Sequence, residues 1–317
     1  MKHYYIGVDI GGTKCAVTLG CEDTGAQEMR VLVKRRFETP AGAPAETLDG
    51  IAARIDELAG KAPAEGIGIS CGGPLDSAAG VILGPPNLPG WDRVEAVRYF
   101  EERFCLPARL QNDADACAVA EWKYGAGKGL RNVVFLTFGT GLGAGLILDG
   151  RLYTGTNGMA GEVGHWRMSA AGPEGHGKAG SFEGFCSGGG LALAARAKIG
   201  NAPESKLFPF AGSPAQITAK RIAGLAGEGD EFCRSIYADC GRVLGRGLAL
   251  LIDLLNPQAI ILGSIFTRSR GLLWEYAKAE IEAEALDRSA KVCRVLPARL
   301  GESLGDIAAL TAASGGF

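Results

Sequence analysis

Two stretches of similar pattern decide the fold: residues 4–19 read YYIGVDIGGTKCAVTL, and residues 133–148 read VVFLTFGTGLGAGLIL. Each stretch consists of a β-type apolar run, a polar residue, a glycine-containing turn and a second apolar run. Asp9 stands before the turn in the first stretch, where Thr137 stands in the second. The two stretches lie about one domain apart, so we predict a duplicated strand–turn–strand architecture.

Strand and helix patterns alternate along the rest of the chain, which is typical of an α/β protein. The predicted strands are Tyr4–Val8, Cys15–Leu19, Val31–Phe37, Gly66–Ser70, Ala108–Gln111, Val133–Thr137, Ala144–Leu148 and Ala259–Leu262. The predicted helices span about Pro44–Ala59, Val94–Phe104, Asp113–Tyr124, Pro214–Ala226, Glu231–Leu255, Leu272–Ala285 and Asp306–Ala313. Glycine-rich loops are expected at 155–164 and 172–190.

The chain of 317 residues is longer than one hydrophobic core usually organises, so we expect two domains. The run Gly125-Ala-Gly-Lys-Gly129 interrupts the pattern and marks the predicted boundary. Apolar residues make up 47% and charged residues 21% of the chain, which favours a globular enzyme over a disordered protein.

Charge and hydropathy argue against nucleic-acid and membrane partners. Lys and Arg total 33 against 35 Asp and Glu, so the net charge of -2 offers no basic excess for a nucleic-acid backbone. The most apolar later stretch, Leu248–Leu255, is too short to cross a bilayer. The first residues, MKHYYIGVDIGG, lack the pattern of a signal peptide, so a cytoplasmic location is expected. The nine scattered cysteines are expected to be buried thiols rather than disulfides.

Neither glycine turn has the spacing of a P-loop or of a Rossmann dinucleotide motif. Each lies between two predicted strands, where glycine lets backbone N–H groups approach phosphate oxygens without an intervening Cβ. Asp9 precedes the first turn, where a carboxylate can hold water around Mg²⁺. Ordinary hairpin turns are the alternative, but two matched turns favour an ATP site. The candidate phosphate-binding residues are Gly11, Gly12, Thr13, Lys14, Thr137, Gly139, Thr140 and Gly141.

Gln111-Asn-Asp113-Ala-Asp115 lies at a predicted strand-to-helix junction. Phosphoryl transfer to a hydroxyl needs a base that orients the hydroxyl and accepts its proton. A helix N-terminus stabilises the ionised form of a carboxyl group, so we expect Asp113 to be ionised at neutral pH. Helix capping explains the same residues equally well, because Asn and Asp are favoured caps. Asp115 competes with Asp113 but better resembles a first-turn acid.

Further polar residues lie in the glycine-dense loop 155–165, GTNGMAGEVGH. There Glu162 and His165 stand three residues apart, so they are candidates to hydrogen-bond vicinal hydroxyl groups. Glu183 follows in another glycine-rich loop. Solvated surface acids are the alternative interpretation, and the residues alone do not decide between the two.

Together these motifs resemble the ROK family of sugar kinases and sugar-responsive repressors, over nearly the whole chain. DIGGTK (Asp9–Lys14) and TFGTGLGAG (Thr137–Gly145) are similar to the two phosphate motifs of that family. PNLPGW (Pro86–Trp91) and QNDADA (Gln111–Ala116) are similar to segments of its sugar site. The loop 155–165 is similar to its signature loop.

The resemblance implies an actin-like, ribonuclease-H-like pair of domains that closes on ATP and a sugar. Residues 1–124 and 301–317 would form the smaller domain, and 125–300 the larger. Asp113 would be the catalytic base, Gly263 would lie near the nucleotide, and the protein would be a homodimer. The implied sugar-binding residues are Gly73, Asn87, Asn112, Asp113, Glu162, His165 and Glu183.

One departure from the family concerns zinc. Members commonly carry a zinc site made of the counterpart of His165 and three cysteines in a C-x-C-G-x-x-G-C pattern. The corresponding stretch, Gly175–Ser181, is one residue shorter and has no cysteine. We therefore predict no structural zinc, with a variant site of His165, His176 and Cys186 as the alternative. The change also leaves the loop that carries Glu183 without its metal support.

A second departure is Gly263-Ser264-Ile265, where the family usually has three glycines near the nucleotide. The side chain of Ser264 narrows the space between this segment and a nucleotide, and its effect on nucleotide binding stays open.

The sequence thus predicts an ATP-dependent hexose kinase, with the 6-hydroxyl of glucose as the default acceptor. N-acetylglucosamine, N-acetylmannosamine, fructose, mannose and allose are alternatives, because motif spacing does not resolve pocket contacts. A DNA-binding repressor is disfavoured, because the first phosphate motif begins at residue 9 and the net charge is unsuitable. A non-catalytic sugar sensor is disfavoured by intact Asp9, Asp113 and both turns.

Overall fold

The computed structural model describes residues 1–58 and 60–315 of the chain. Strands and helices alternate through most of this length, so the predicted α/β class is confirmed. The nine cysteines are free thiols, and most of them are buried.

The structure has fourteen strands and ten α-helices within the described residues. The strands are β1 (Lys2–Ile10), β2 (Lys14–Asp23), β3 (Glu28–Glu38), β4 (Ala64–Cys71), β5 (Leu75–Asp76), β6 (Val81–Ile82), β7 (Ala108–Asn112), β8 (Val133–Phe138), β9 (Leu142–Leu148), β10 (Arg151–Tyr153), β11 (Glu174–Gly175), β12 (Lys178–Ala179), β13 (Ala259–Leu262) and β14 (Arg294–Pro297). The helices are α1 (Pro44–Leu58), α2 (Ala96–Phe104), α3 (Asp113–Tyr124), α4 (Phe182–Phe185), α5 (Gly188–Lys198), α6 (Ala219–Gly227), α7 (Glu231–Leu255), α8 (Ile265–Glu284), α9 (Asp287–Ala290) and α10 (Leu304–Ser314).

The first sheet has five strands in the order β3-β2-β1-β4-β7. β1 pairs antiparallel with β2, and β2 with β3, whereas β1–β4 and β4–β7 are parallel. The predicted apolar stripe of α1 is buried in the core beside this sheet, together with the apolar side chains of β1, β2 and β4. Alternation along each strand therefore directs one set of side chains to this core and the other set to the opposite face.

Helix α10 packs on that opposite face, where glycines replace larger side chains. A Cβ added at Gly68 would lie 2.0 Å from the carbonyl oxygen of Ala309, and one at Gly20 would lie 2.2 Å from Leu310 Cδ1. At Gly68 the contact is with the backbone of the helix, so glycine allows that backbone to approach the strand. Ile307 and Leu310 of α10 then pack with Ala116 and other residues of α3 in a second core.

The second sheet repeats the arrangement of the first. Its order is β10-β9-β8-β13-β14. β9 and β10 pair antiparallel, and β8–β13 and β13–β14 are parallel. Numbered within each copy, both sheets follow the order 3-2-1-4-5, so the predicted duplication is confirmed at the level of sheet topology.

The chain forms two compact units. The first contains residues 1–131, 145–160 and 299–317, and the second contains 132–144 and 161–298. The predicted domains stay a prediction, and the compact units depart from them at 125–131, 145–160 and 299–300. The close approach of β9 to α3 accounts for part of this difference, because a Cβ at Gly145 would lie 2.5 Å from Ala118 Cβ.

Several predicted elements differ from the structure. Helix α2 begins at Ala96 rather than Val94, because Val94 pairs with Ile82 as extended chain. The predicted helix over 214–226 is a short 3-10 turn followed by α6, whose N-cap is Thr218. Helix α8 begins before the predicted Leu272, and the end of the first predicted helix, Ala59, lies outside the described residues. Helix α5 and the β11–β12 hairpin were not predicted.

Candidate active site

The first glycine turn, residues 11–14, joins β1 to β2 and is held by Thr39. The N–H of Gly11 donates to the Lys14 carbonyl at 3.2 Å. The Thr39 hydroxyl donates to the Gly11 carbonyl at 2.6 Å, and its N–H donates to the Thr13 carbonyl at 2.9 Å. The side chains of Thr13 and Lys14 are exposed. The turn is therefore a hairpin turn whose Thr13 and Lys14 side chains remain accessible, and Thr39 is a contributor that the sequence analysis missed.

Gly12 lies directly against the loop that contains Asn87. A Cβ at Gly12 would be 2.2 Å from the Asn87 carbonyl oxygen, so this approach requires glycine. Leu88 and Trp91 of the same loop are buried in the core and anchor it. The first turn and the predicted sugar-site segment at 86–91 are thus in contact within the first unit.

Asp9 lies near the end of β1 and is half-buried. Burial raises its pKa to about 6, and the negative charges of Asp113 and Asp306 act in the same direction. The positive charges of Lys34 and Arg36 oppose this shift. A concentration of negative charge around an oxygen ligand is a favourable place for a hard cation.

Asp306, in the first turn of α10, is a buried carboxylate that the sequence analysis did not place near the site. It accepts a hydrogen bond from the Thr18 hydroxyl at 3.2 Å. It also forms an ion pair with Lys34 of β3. This pair offsets the charge of Asp306, which is only 6% exposed.

Helix α3 begins at the predicted strand-to-helix junction, and Asn112 is its N-cap. The Asn112 Oδ1 accepts hydrogen bonds from the N–H groups of Ala114 at 2.9 Å and Asp115 at 3.4 Å. Because Asn112 supplies the cap, capping does not account for Asp113. The Asp113 Oδ1 accepts from the adjacent Ala114 N–H at 2.8 Å, and its side chain is exposed to solvent.

The pKa of Asp113 is raised from its ordinary value. The residue is exposed at the surface, yet protein atoms crowd around its carboxyl group, and the resulting desolvation raises the pKa more than the hydrogen bond from the Ala114 N–H lowers it. The expected stabilisation of the ionised form by the helix N-terminus is therefore not the dominant effect. A raised pKa moves a carboxylate towards the range in which a general base works best near neutral pH.

Asp115 has a different environment from Asp113. It is buried, and its Oδ2 accepts a hydrogen bond from Gln111 Nε2 at 3.0 Å. It is thus engaged inside the protein, which makes Asp113 the more accessible of the two acids.

The other predicted sugar-binding residues of the first unit lie beside α3. A Cβ at Gly73 would be 3.3 Å from the Asn112 Nδ2, and one at Gly72 would be 3.8 Å from the Asn87 Oδ1. The structure therefore brings Gly73, Asn87 and Asn112 together with the start of α3 and the first turn.

The second glycine turn, residues 139–141, joins β8 to β9. The Gly143 N–H donates to the Thr137 hydroxyl oxygen at 2.9 Å, which fixes Thr137 within the turn region. The N–H of Gly188, at the start of α5, donates to the Gly139 carbonyl at 2.8 Å. Thr140 is exposed, so its hydroxyl remains accessible.

Ser264 lies beside this turn in a strained conformation. Its φ of 47° and ψ of -105° are disfavoured for any residue with a Cβ. A Cβ at Gly139 would be 3.7 Å from its Oγ, and the preceding Gly263 donates its N–H to the Leu136 carbonyl at 3.0 Å. The backbone here suits glycine, which gives a physical reason for the glycines that the family usually has.

Glu183, from α4, contacts the second turn. Its Oε2 accepts a hydrogen bond from the Leu142 N–H at 3.0 Å, and its Oε1 lies 3.7 Å from His176 Nε2. A Cβ at Gly164 would be 3.3 Å from Glu183 Cβ, so the 3-10 turn Val163–His165 lies beside it. Glu162 and His165 are exposed on this turn. These predicted sugar-binding residues belong to the second unit, except that their loop begins in the first.

The alternative metal site of His165, His176 and Cys186 is not assembled. Cys186 is buried, and its thiol donates to the Cys240 carbonyl at 3.5 Å. Within residues 1–58 and 60–315, no three or more His, Cys, Asp or Glu side chains are grouped to hold a metal ion. The absence of a structural zinc stays a prediction.

No helix within the described parts of the chain combines the length and apolar character that crossing a membrane requires.

Two sheets of equal strand order, each with a glycine turn between its first two strands, define the actin-like, ribonuclease-H-like class of two-domain proteins. Within that class the chain belongs to the ROK family, whose model matches residues 5–314. The predicted fold and the predicted family are both confirmed.

Characterised relatives are similar over most of their length. The glucokinase of Streptomyces coelicolor is 32% identical over 96% of this chain and 95% of its own. The N-acetylmannosamine kinase of Escherichia fergusonii is 32% identical over 84% of this chain and 85% of its own. The crystal structure of a ROK family glucokinase from Streptomyces griseus in complex with glucose and AMPPNP has a TM-score of 0.81 and 31% identity, and covers 98% of this chain and 99% of that one.

Proposed function

We propose that this protein is an ATP-dependent sugar kinase that transfers the γ-phosphoryl group of ATP to the 6-hydroxyl of a hexose, with glucose as the default acceptor. The observation that carries the proposal is the exposed carboxylate of Asp113 at the start of α3, where Asn112 already supplies the cap. The similarity to a glucokinase in complex with glucose and AMPPNP supports both substrates.

In this mechanism the two glycine turns bind the phosphates of ATP. The N–H groups of Gly11 and Gly139 donate within their turns, to the carbonyls of Lys14 and Gly141. Other backbone N–H groups of the turns, such as those of Gly12 and Gly141, would donate to phosphate oxygens, aided by hydroxyl groups of the turns. Asp9 would hold Mg²⁺ through water, and the ion would neutralise charge on the transferring group.

Asp113 would accept the proton of the sugar hydroxyl as that hydroxyl attacks the γ-phosphorus in line. Its accessible position and raised pKa suit this role. Most of the rate would come from alignment and exclusion of water, on the order of 7–11 kcal/mol in well-oriented systems.

The sugar would be oriented by hydrogen bonds to its other hydroxyl groups. Asn112 has its Oδ1 engaged in capping, so its Nδ2 is the group available to a ligand. The proposed sugar-binding residues are Gly73, Asn87, Asn112, Asp113, Glu162, His165 and Glu183. N-acetylmannosamine is a rival acceptor on the strength of the N-acetylmannosamine kinase relative, and the other sugars named above stay alternatives.

Replacing Asp113 with Asn tests the assignment of the base. We expect kcat to fall by roughly 10²–10⁴ while the affinity for the sugar is retained, because the amide keeps the shape but cannot accept the proton. A coupled assay of ADP release and a calorimetric titration with the sugar measure the two quantities.

Asp115→Asn is the matched control, since Asp115 is buried against Gln111. Its kcat is expected to stay well above that of Asp113→Asn. Turnover close to wild type in Asp113→Asn would contradict the assignment of Asp113 as the base. Sugar binding without ADP release by the wild-type protein, for every sugar of a panel, would favour a non-catalytic sensor instead.

A homodimer is also expected from the family resemblance, and a cytoplasmic location stays a prediction. Light scattering of the purified protein measures the oligomeric state directly, and a monomer at micromolar concentration would contradict the dimer.

A further inference from the structure

The β11–β12 hairpin, residues 174–179, has no role in the proposed mechanism, yet it contacts the loop that carries His165. The Lys178 Nζ donates a hydrogen bond to the His165 carbonyl oxygen at 2.6 Å. Lys178 as a whole residue is half-buried, while the hydrogen bond itself is exposed. A charged donor makes a stronger hydrogen bond than a neutral one.

The accepting carbonyl, that of His165, lies at the end of a helical turn. His165 is the last residue of the 3-10 turn Val163–His165, and the carbonyl groups at the end of a helical turn have no partner within it. Those carbonyls carry partial negative charge, which an ammonium group stabilises. Lys178 therefore fixes the end of the turn on which Glu162 and His165 are exposed.

Further contacts join this loop to the hairpin and to the start of α4. Arg167 Nη1 donates to the Ala179 carbonyl at 2.9 Å, and the Phe182 N–H donates to the Trp166 carbonyl at 2.8 Å. The Trp166 and Phe182 rings are stacked, with their centroids 6.1 Å apart. The loop and the start of α4 thus form one packed layer in which Lys178 supplies a charged link.

The side chains of this layer do not fit the zinc site that the family commonly carries. A structural zinc takes four donors, preferably thiolates and imidazoles. Here the Ser181 hydroxyl accepts from the Gly184 N–H at 3.0 Å as the cap of α4, and Cys186 is directed to Cys240. Lys178 brings a positive charge to the loop, which disfavours a cation there.

We infer that Lys178 is a positioning residue that performs, without metal, the task of holding the His165 loop in place for the sugar. The inference rests on the proposed function, because the loop matters only if Glu162 and His165 bind the sugar. The link acts on the main chain of His165 and leaves its imidazole accessible.

Kinetics of three variants test this role. Lys178→Met keeps the length of the side chain and removes the charge, whereas Lys178→Arg retains a charged donor. Lys206→Met is the matched control, because Lys206 lies in the same unit and pairs with Glu228 at 3.2 Å on the surface. With the sugar that the wild type phosphorylates, Lys178→Met should raise KM for the sugar roughly tenfold, with KM for ATP unchanged.

Lys178→Arg should recover most of that loss, and Lys206→Met should match the wild type. A KM for the sugar within about twofold of wild type in folded Lys178→Met would overturn the inference.

Hydrogen exchange tests the link without any activity. The N–H groups of His165 and Trp166 are hydrogen-bonded inside the turn, to the carbonyls of Glu162 and Val163. In the ligand-free protein, Lys178→Met should speed exchange across residues 163–168, and Lys206→Met should not. Unchanged exchange in Lys178→Met would overturn the inference even if the protein is an active kinase.

Metal analysis completes the test. The purified wild type should contain far less than one zinc per chain, and a zinc-selective chelator should leave activity intact when Mg²⁺ is maintained. Stoichiometric zinc whose removal abolishes activity would overturn the inference. If the wild type releases no ADP with any sugar, the proposed function fails, while the exchange measurement still decides the role of Lys178.

Discussion

Asp9 is held in the folded protein at an electrostatic cost. Its pKa is raised from 3.8 to about 6, chiefly by burial and then by the charges of Asp113 and Asp306. Between these two pH values the folded state binds this proton more tightly than the unfolded chain does. The stability of the protein therefore decreases as pH rises through this window, by about 3 kcal/mol at most for this group.

Asp9→Asn should remove that cost. In the absence of nucleotide and Mg²⁺, we expect the free energy of unfolding to increase by roughly 1–3 kcal/mol at pH 8 and to change little near pH 4. Urea denaturation at the two pH values measures the difference.

Asp92→Asn, at an exposed position of the same unit, is the control and should show no such pH dependence. A gain in Asp9→Asn that is equal at both pH values, or a loss at pH 8, would contradict the account of Asp9. Retention of a costly carboxylate is understandable if Asp9 serves Mg²⁺ in the reaction.

At individual residues, the sequence predicts local chemistry better than distant partners. The junction at Asn112 and Asp113 could be predicted because cap and first turn are adjacent in sequence. Thr39, Lys178 and Asp306 could not, since their partners are 28, 13 and 288 residues away and follow from tertiary packing. Ordinary surface Thr, Lys and Asp residues carry no signal that separates them from these three.

At the level of secondary-structure elements, the packing of α10 on the first sheet depends on glycine. Gly68 of β4 is buried beneath this helix, with the Ala309 carbonyl and the Ala313 N–H within 2.3 Å of any added Cβ. The helix cannot stay in place against a larger side chain, because both contacts are with its backbone.

Gly68→Ala should therefore displace α10 and destabilise the protein by roughly 2–4 kcal/mol. Gly224→Ala is the matched control, since Gly224 lies in α6 with open space around it and should gain up to about 1 kcal/mol in helix propensity. Chemical denaturation of both variants gives the two values. Equal effects of the two substitutions would contradict the described packing of α10.

Elements with a clear apolar period were predicted well, and those rich in glycine were not. The bounds of α3 and α7 agree with the prediction, and the predicted stripe of α1 is buried. Helix α5 begins with three glycines, which are poor helix formers and fall within the predicted loop 172–190. The start of α5 is stabilised instead by its N-cap Ser187 and by the hydrogen bond from the Gly188 N–H to the Gly139 carbonyl.

At the scale of the whole molecule, the duplicated glycine turns were enough to predict two similar sheets. The turns recur with the same flanking strands, and the sheet order 3-2-1-4-5 is found twice. Which residues belong to each compact unit could not be predicted in the same way. Segment 145–160 joins the first unit because of its tertiary packing, and no change of composition in the sequence marks that packing. Which sugar the site accepts likewise depends on a few distances between side chains, and the spacing of motifs in the sequence does not encode them.

The most direct test of the central claim is phosphorus NMR of the product formed from ATP and each sugar of a panel that includes glucose and N-acetylmannosamine. We predict ADP and a sugar phosphate whose phosphorus couples to two methylene protons, as transfer to the 6-hydroxyl requires, with formation strongly slowed in Asp113→Asn. Inorganic phosphate alone, transfer to another hydroxyl, or no ATP consumption with any sugar would contradict the account.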